Sequence, residues 1–162
     1  MKIKILLLGA VCLAVLISCL EVMNSFSEEA KESSQVRIDG EAFLVKNALR
    51  PEVKVTESGL QYEVLIEGKG AKPSVSQTVE VNYEGTLIDG TVFDSSYERG
   101  RSISFGLGQV IKGWTEGLQL MTVGSTYNLY IPYSLAYGDR GAGSKVKPYA
   151  ALVFKVELIS IK

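Results

Sequence analysis

Strict alternation of apolar and polar side chains over residues 78–87, TVEVNYEGTL, is the feature that most constrains the fold. Successive side chains of a strand point to opposite faces, so this pattern predicts a half-buried β-strand. Asp89-Gly90 follows between two apolar runs and predicts a hairpin turn. Antiparallel pairing is therefore expected to organise this part of the chain.

Further alternating segments extend the predicted sheet. They cover residues 60–66, 102–105, 125–131 and 151–161. Within the first segment, one face is expected to carry apolar side chains and the opposite face polar ones. The apolar face holds Leu60, Tyr62, Val64 and Ile66, and the polar face holds Gln61 and Glu63.

One segment inside the domain, VIKGWTEGL at 110–118, has apolar residues at helical spacing. Gly113 and Gly117 each cost about 1 kcal/mol relative to alanine in a helix. We therefore expect these glycines to let the helix lie close to a sheet. The predicted fold class is α+β, with a curved antiparallel sheet wrapped around one short helix.

The amino-terminal residues 1–18 predict a secretory signal peptide. Lys2 and Lys4 precede an apolar run over 5–17, which is shorter than the roughly 20 residues of a membrane-spanning helix. LISC at 16–19 fits the bacterial lipobox and predicts lipidation of Cys19. An ordinary signal peptide with an incidental cysteine is the alternative.

Residues 19–57 are predicted to form a tether, because 20–36 are polar and rich in Ser and Glu. A short helix is expected near 38–49, where Pro51 limits its extent. Residues 58–162 suit one compact domain.

Residue usage excludes several classes of site. The chain has no histidine, and both cysteines, Cys12 and Cys19, lie in the leader. The domain therefore lacks a Ser-His-Asp triad, a Cys-His pair and a cysteine metal site, and neither a cofactor nor a metal is predicted. Without Lys2 and Lys4, 15 basic side chains face 18 acidic ones, and no basic patch indicates nucleic-acid binding.

Aromatic and apolar residues gather near the predicted turns. From the residues alone, they are either core residues or the lining of an aromatic pocket that contains a few hydrogen-bonding groups. The set comprises Tyr83, Phe93, Asp94, Val110, Ile111, Trp114, Tyr137 and Phe154.

Four segments carry a family resemblance: VEVNYEGTLIDGTVFDSS, QVIKGWTEGLQLMTVG, IPYSLAYGDRG and ALVFKVELI. Together they resemble the FKBP-type peptidyl-prolyl cis-trans isomerases over nearly all of 58–162. GEAFLVKN followed by SGLQYEVL further resembles the bacterial macrophage infectivity potentiator branch. The resemblance implies isomerisation of X-Pro bonds in exported proteins without a covalent step, and binding of macrolide immunosuppressants.

The resemblance also implies roles for individual residues. The catalytic set is Asp94, Tyr137 and the backbone N–H of Ile111. Trp114 forms the pocket floor, and Arg99 pairs with the rim around Asp94 and Tyr83. The substrate-binding set is Tyr83, Phe93, Arg99, Ile103, Val110, Trp114 and Phe154.

Some residues depart from the family pattern. Ile103 stands where many members carry phenylalanine, and Ala142 where some carry histidine. Lys145 and Lys147 replace apolar or proline residues, which suggests a preference for acidic substrates and weaker macrolide binding. Solvated loop charges are the alternative interpretation of the two lysines.

Three interpretations of function remain open. The first is a lipid-anchored isomerase in the periplasm or at the cell surface, held at the membrane only through its N-terminal lipid. The second is a non-catalytic chaperone or binding module with the same fold, and the third is a structural lipoprotein. A monomer is expected because residues 19–57 are too short for a full dimerisation module. The alternative is a weak dimer in which residues 38–49 pair two chains.

Overall fold

The computed structural model describes the backbone of residues 2–162 and the side chains from Leu20 onward. The leader and Cys19 lie outside the residues whose side chains are described, so the signal peptide and the lipidation site stay predictions. The chain divides into two compact units, Met1–Gln35 and Val36–Lys162. Among the described residues, no helix combines the length and apolar character needed to cross a membrane.

Helix α1 spans Lys2–Asn47, so the structure differs from the expected tether at 20–36. Glu, Ala and Lys in this segment are good helix formers, and their helix is solvent-exposed. The Ser25 and Ser34 hydroxyls donate to carbonyls one turn earlier, those of Val22 and Ala30, each at 2.8 Å. A solvated helix needs no apolar stripe, which explains why its sequence lacks periodicity.

Seven antiparallel strands form one sheet in the order β1-β2-β6-β7-β3-β4, with β5 also paired to β3. This arrangement confirms the predicted α+β class. Gly90 lies in the predicted hairpin turn between β3 and β4, with φ of +88°. The strands are β1 Val53–Val55, β2 Gln61–Ile66, β3 Thr78–Leu87, β4 Val92–Ser95, β5 Ile103–Gly106, β6 Thr126–Ile131 and β7 Leu152–Ile161.

The expected division of faces in β2 is wrong at two positions. Gln61 is only 5% exposed, whereas Ile66 is 58% exposed. The Asn47 side-chain amide donates to Gln61 Oε1, and Gln61 Nε2 donates to the Leu44 carbonyl, each at 2.9 Å. The end of α1 thus covers the polar face of this strand, and simple alternation no longer decides which side is buried.

The short helix expected at 38–49 is the last part of α1, which ends at Asn47. Phe43 packs against Tyr130, with 6.1 Å between the ring centroids. Gly40 lies against β7, because a Cβ atom there would be 3.1 Å from Ala151 Cβ. Leu49, which lies inside the predicted 38–49 segment, follows the end of α1 and is 81% exposed.

Helix α2 spans Lys112–Leu120 and packs on β6. A Cβ atom at Gly113 would lie 2.5 Å from Ile131 Cγ2, and one at Gly117 would lie 2.7 Å from Leu129 Cδ1. Both distances are shorter than carbon atoms tolerate. The glycines therefore give the helix the close approach that the sequence predicts, and this approach places Trp114 beneath the sheet.

Gly113→Ala should lower the free energy of unfolding by up to about 2 kcal/mol. Overpacking costs about 1–3 kcal/mol, and the gain in helix propensity of about 1 kcal/mol offsets only part of it at a site as tight as Gly113. Gly117→Ala is the matched control and should cost less, since Leu129 Cδ1 ends a rotatable side chain whereas Ile131 Cγ2 sits on Cβ. Urea unfolding measures both variants, and a Gly113→Ala protein more stable than wild type would contradict the packing argument.

Candidate functional site

A hollow of about 380 Å³, the aromatic pocket, opens beside α2. It brings together every pocket residue predicted from the sequence except Arg99, which lies at its rim. Phe105 and Gln109 also line it and were not predicted. The lining comprises Tyr83, Phe93, Asp94, Ile103, Phe105, Gln109, Val110, Ile111, Trp114, Tyr137 and Phe154.

Trp114 lies at the base of the pocket and is 5% exposed. Tyr83 and Phe154 meet the indole edge-on, each with 5.1 Å between ring centroids and interplanar angles of 85° and 84°. The Phe105 ring also packs against the indole, with 5.4 Å between the ring centroids and 51° between the ring planes. Edge-to-face contacts of this kind are favourable and orient the rings, so the floor is held rigidly by its three aromatic neighbours.

Phe93 and Phe154 form one wall, with ring centroids 5.4 Å apart and planes at 88°. Gly85 of β3 lies directly behind them, because a Cβ atom there would be 2.7 Å from each ring. Sequence reasoning missed this role for Gly85. The available signal was its place in the alternation, two residues after Tyr83, where the inward side chain is missing.

Three side chains, Asp94, Tyr83 and Arg99, form the rim network. The Tyr83 hydroxyl donates to Asp94 Oδ2, and Arg99 Nη1 donates to Asp94 Oδ1. Arg99 Nη2 donates to the Tyr83 hydroxyl at 2.8 Å, which closes the triangle. Buried Ser96 fixes the strand beneath it, since its hydroxyl accepts the Tyr83 N–H at 2.8 Å and its own N–H donates to the Tyr83 carbonyl at 2.9 Å.

The network sets the protonation states of its members. Burial opposes ionisation of Asp94, but the hydrogen bonds from Tyr83 and Arg99 outweigh it and hold the pKa of the carboxyl below its ordinary value. Burial, reinforced by the hydrogen bond to Asp94, raises the pKa of Tyr83. At neutral pH the rim therefore carries a carboxylate neutralised by a guanidinium, with a protonated phenol between them.

Among the residues that line the pocket, the donors without a partner in the described part of the chain include the Tyr137 hydroxyl, the Ile111 N–H and the buried indole N–H of Trp114. Ile111 precedes α2, and its carbonyl accepts the N–H groups of Trp114 and Thr115 at 3.0 and 3.1 Å. Tyr137 is 39% exposed. Burial, then the negative charge of Asp94, raises the pKa of the Tyr137 hydroxyl, which stays a donor at neutral pH.

The two unusual lysines lie in different places. Lys145 lines a hollow that adjoins the aromatic pocket and shares Phe93, Asp94 and Tyr137 with it. Lys147 lines another hollow together with Leu87 and Ala151. Lys147 therefore does not line the aromatic pocket or the hollow that adjoins it, and the expected effect of the two lysines on substrate preference and macrolide binding stays a prediction.

An antiparallel sheet packed on one short helix, with a tryptophan-floored aromatic pocket, defines the FKBP class of domain. Residues 69–159 match the family described as FKBP-type peptidyl-prolyl cis-trans isomerase, and 16–64 match the domain amino-terminal to it. The chain belongs to the FKBP-type peptidyl-prolyl cis-trans isomerase family.

The relatives that this chain matches are longer than the part that aligns with it. An FkpA isomerase of Aeromonas hydrophila is 52% identical over 151 residues, covering 88% of this chain and 56% of that protein. Outer membrane protein MIP of Legionella longbeachae is 48% identical over 136 residues, covering 84% and 58%. The crystal structure of FkpA from Escherichia coli has a TM-score of 0.81 at 44% identity and covers 84% of this chain and 63% of that one. The chain thus spans just over half the length of these two curated relatives.

Proposed function

We propose that this protein catalyses cis-trans isomerisation of X-Pro peptide bonds in exported proteins. The observation that supports the proposal most strongly is the aromatic pocket. Its floor is the Trp114 indole, and two of its hydrogen-bond donors, the Tyr137 hydroxyl and the Ile111 N–H, have no partner among the described residues. None of its lining residues forms a nucleophile–base pair of the kind used in covalent catalysis. Its volume of about 380 Å³ lies within the usual range of small-ligand sites. Proline suits an apolar hollow, because its ring has no N–H that would need a partner.

The barrier to be lowered is about 18–20 kcal/mol and arises from amide resonance. Uncatalysed X-Pro bonds therefore isomerise in roughly 10–100 s at 25 °C. Twisting the bond removes the resonance, and the amide then carries less charge separation than in its planar form. An apolar pocket disfavours the planar, more polar amide relative to the twisted one, which lowers the barrier.

The polar groups of the pocket act by holding the peptide and the pocket wall in place. The Tyr137 hydroxyl and the Ile111 N–H hold carbonyls that flank the target bond, so that rotation is confined to that bond. The rim network keeps Tyr83 against Trp114 and thereby preserves the wall and floor. This assignment gives Asp94 and Arg99 a part in catalysis that requires no proton transfer.

The proposal is tested by following the cis-to-trans relaxation of a Leu-Pro peptide with and without the protein. Wild type should accelerate it well above the buffer rate. Tyr137→Phe, which removes only the hydroxyl, should retain peptide binding but reduce kcat. Binding without acceleration by wild type would favour the non-catalytic module.

Between about pH 6 and 8.5, kcat/KM should vary by less than about twofold. Asp94 has a lowered pKa and stays ionised throughout this range, while Tyr83 and Tyr137 have raised pKa values and stay protonated. The relaxation assay, repeated in overlapping buffers, measures the profile. A bell-shaped curve centred in this window would show that a proton is transferred.

We also propose export, with lipidation at Cys19 anchoring the domain in the periplasm or at the cell surface. The leader sequence supports this, as does a relative named as an outer membrane protein. Fatty-acid labelling of wild type, and its absence in Cys19→Ser, is the expected result. Labelling retained in the variant would refute this lipidation site.

The proposed partners follow from the same site. Macrolide immunosuppressants would occupy the aromatic pocket, where the Tyr137 hydroxyl and Ile111 N–H meet ligand carbonyls, with Ile103 altering one wall. A monomer is proposed, and packing of Gly40 and Phe43 on the chain's own sheet supports it. Ile38 and Val45 remain exposed on the same segment and leave the weak dimer as the alternative.

A further inference from the structure

A small hairpin beside the aromatic pocket is held in a fixed shape. The Ala142 N–H donates to the Val146 carbonyl at 2.8 Å, and the Val146 N–H donates back at 3.1 Å. Gly141 has φ of +66°, and a Cβ atom there would lie 2.2 Å from the Val146 carbonyl oxygen. This geometry positions the three residues between the paired ones, 143–145, which we term the loop tip.

The loop tip borders a second space, the side hollow, of about 350 Å³. Phe93, Asp94 and Tyr137 line both this hollow and the aromatic pocket, so the two spaces adjoin along a common wall. Consecutive Cα atoms lie 3.8 Å apart. The residue next to a proline held in the aromatic pocket therefore has its side chain within reach of the side hollow.

The charges around the side hollow are unequal. Asp94 is already paired with Arg99 and bonded to Tyr83, so its carboxylate is neutralised. Lys145 is exposed and forms no ion pair with any residue of 20–162. The backbone N–H groups of the loop tip likewise donate to no acceptor in that part of the chain. The side hollow thus offers one uncompensated cation together with free donors.

We propose that Lys145 and the loop tip form a subsite for an aspartate or glutamate adjacent to the substrate proline. The inference rests on the proposed isomerase function and assigns it a substrate class. A carboxylate in the side hollow would face the Lys145 ammonium and the free N–H groups. Lys147 takes no part, because it lines a different hollow.

The test compares kcat/KM for peptides that differ only in Glu or Gln, placed directly before or directly after proline. Wild type should favour Glu by roughly two- to fivefold in at least one arrangement, the range expected of an exposed ion pair. Raising NaCl from about 0.02 to about 0.5 M should shrink the preference, because salt screens exposed charges.

Three variants assign the effect to one side chain. Lys145→Ala should bring the ratio close to one, and Lys145→Glu should invert it in favour of Gln. Lys147→Ala, the matched control two residues along the chain, should keep the wild-type ratio. Each variant's rate with the Gln peptide is the reference for its own ratio, so a general loss of activity lowers both rates and leaves the ratio unaffected.

Equal rates for Glu and Gln in both arrangements would overturn the subsite. A Glu preference that persists in Lys145→Ala would also overturn it, since the cation would then lie elsewhere. Either result leaves the isomerase function intact when the Gln peptides are accelerated. Failure of wild type to accelerate any peptide would refute the isomerase function, and the subsite with it.

Discussion

Trp114→Ala should lower the free energy of unfolding by about 3–5 kcal/mol, the usual cost of truncating a buried aromatic side chain. Trp114 is 5% exposed and packs against Tyr83, Phe105 and Phe154. Its loss would leave a cavity between α2 and the sheet, and these three rings would lose their common neighbour. Urea unfolding followed by far-ultraviolet circular dichroism measures the change.

Trp114→Phe provides the control, because it keeps an aromatic ring at the floor while removing part of its volume. Its cost should be clearly smaller than that of alanine. If Trp114→Ala lost less than about 1 kcal/mol, the floor would not be the packed anchor that its contacts indicate.

Asp94→Asn should reduce kcat/KM about 10- to 100-fold. Hydrogen bonds to charged groups are worth about 1.5–3 kcal/mol, and each 1.4 kcal/mol corresponds to a tenfold change. The amide cannot accept from Tyr83 and Arg99 at both positions as the carboxylate does. In the free protein the Asp94 side chain is 42% exposed and water weakens these hydrogen bonds, so the free energy of unfolding should change by less than about 1 kcal/mol, whereas a peptide in the pocket would exclude that water and let them act in full.

Asp89→Asn is the matched control. Asp89 lies in the hairpin turn that leads into β4, and its carboxylate accepts the Thr91 N–H at 2.9 Å, outside the aromatic pocket. The same chemical change there should leave kcat/KM within about twofold of wild type. Asp94→Asn activity that matches this control would remove Asp94 from the catalytic set.

Alternation and turn chemistry predicted much of the fold. The bounds of β3 agree with the expected 78–87, and the close approach of Gly113 followed from the weak helix around Trp114. The burial of Gln61 could not be predicted from the sequence, because it depends on the end of α1 covering that face of β2. The helix over 20–36 was missed because this exposed part of α1 leaves no apolar periodicity in its sequence.

The site was predictable as a set of residues through the family resemblance, and the structure brings that set together. Phe105 was missed since it follows Ile103 by two on β5, and only the fold shows that both line the aromatic pocket. Lys145 and Lys147 line different hollows because of the hairpin at 142–146. The pairing that forms this hairpin leaves no periodic pattern in the sequence, so it could not be predicted. Catalytic roles within the set stay predictions until activity is measured.

The central claim is that the aromatic pocket holds proline while the X-Pro bond turns, and the chain's single tryptophan reports on that pocket directly. The decisive measurement titrates a Leu-Pro peptide against Trp114 fluorescence and, with the same sample, determines its rate of isomerisation. We predict a saturable change in fluorescence whose Kd agrees with the KM for acceleration. Acceleration without any change at Trp114, or saturation of Trp114 without acceleration, would contradict the account.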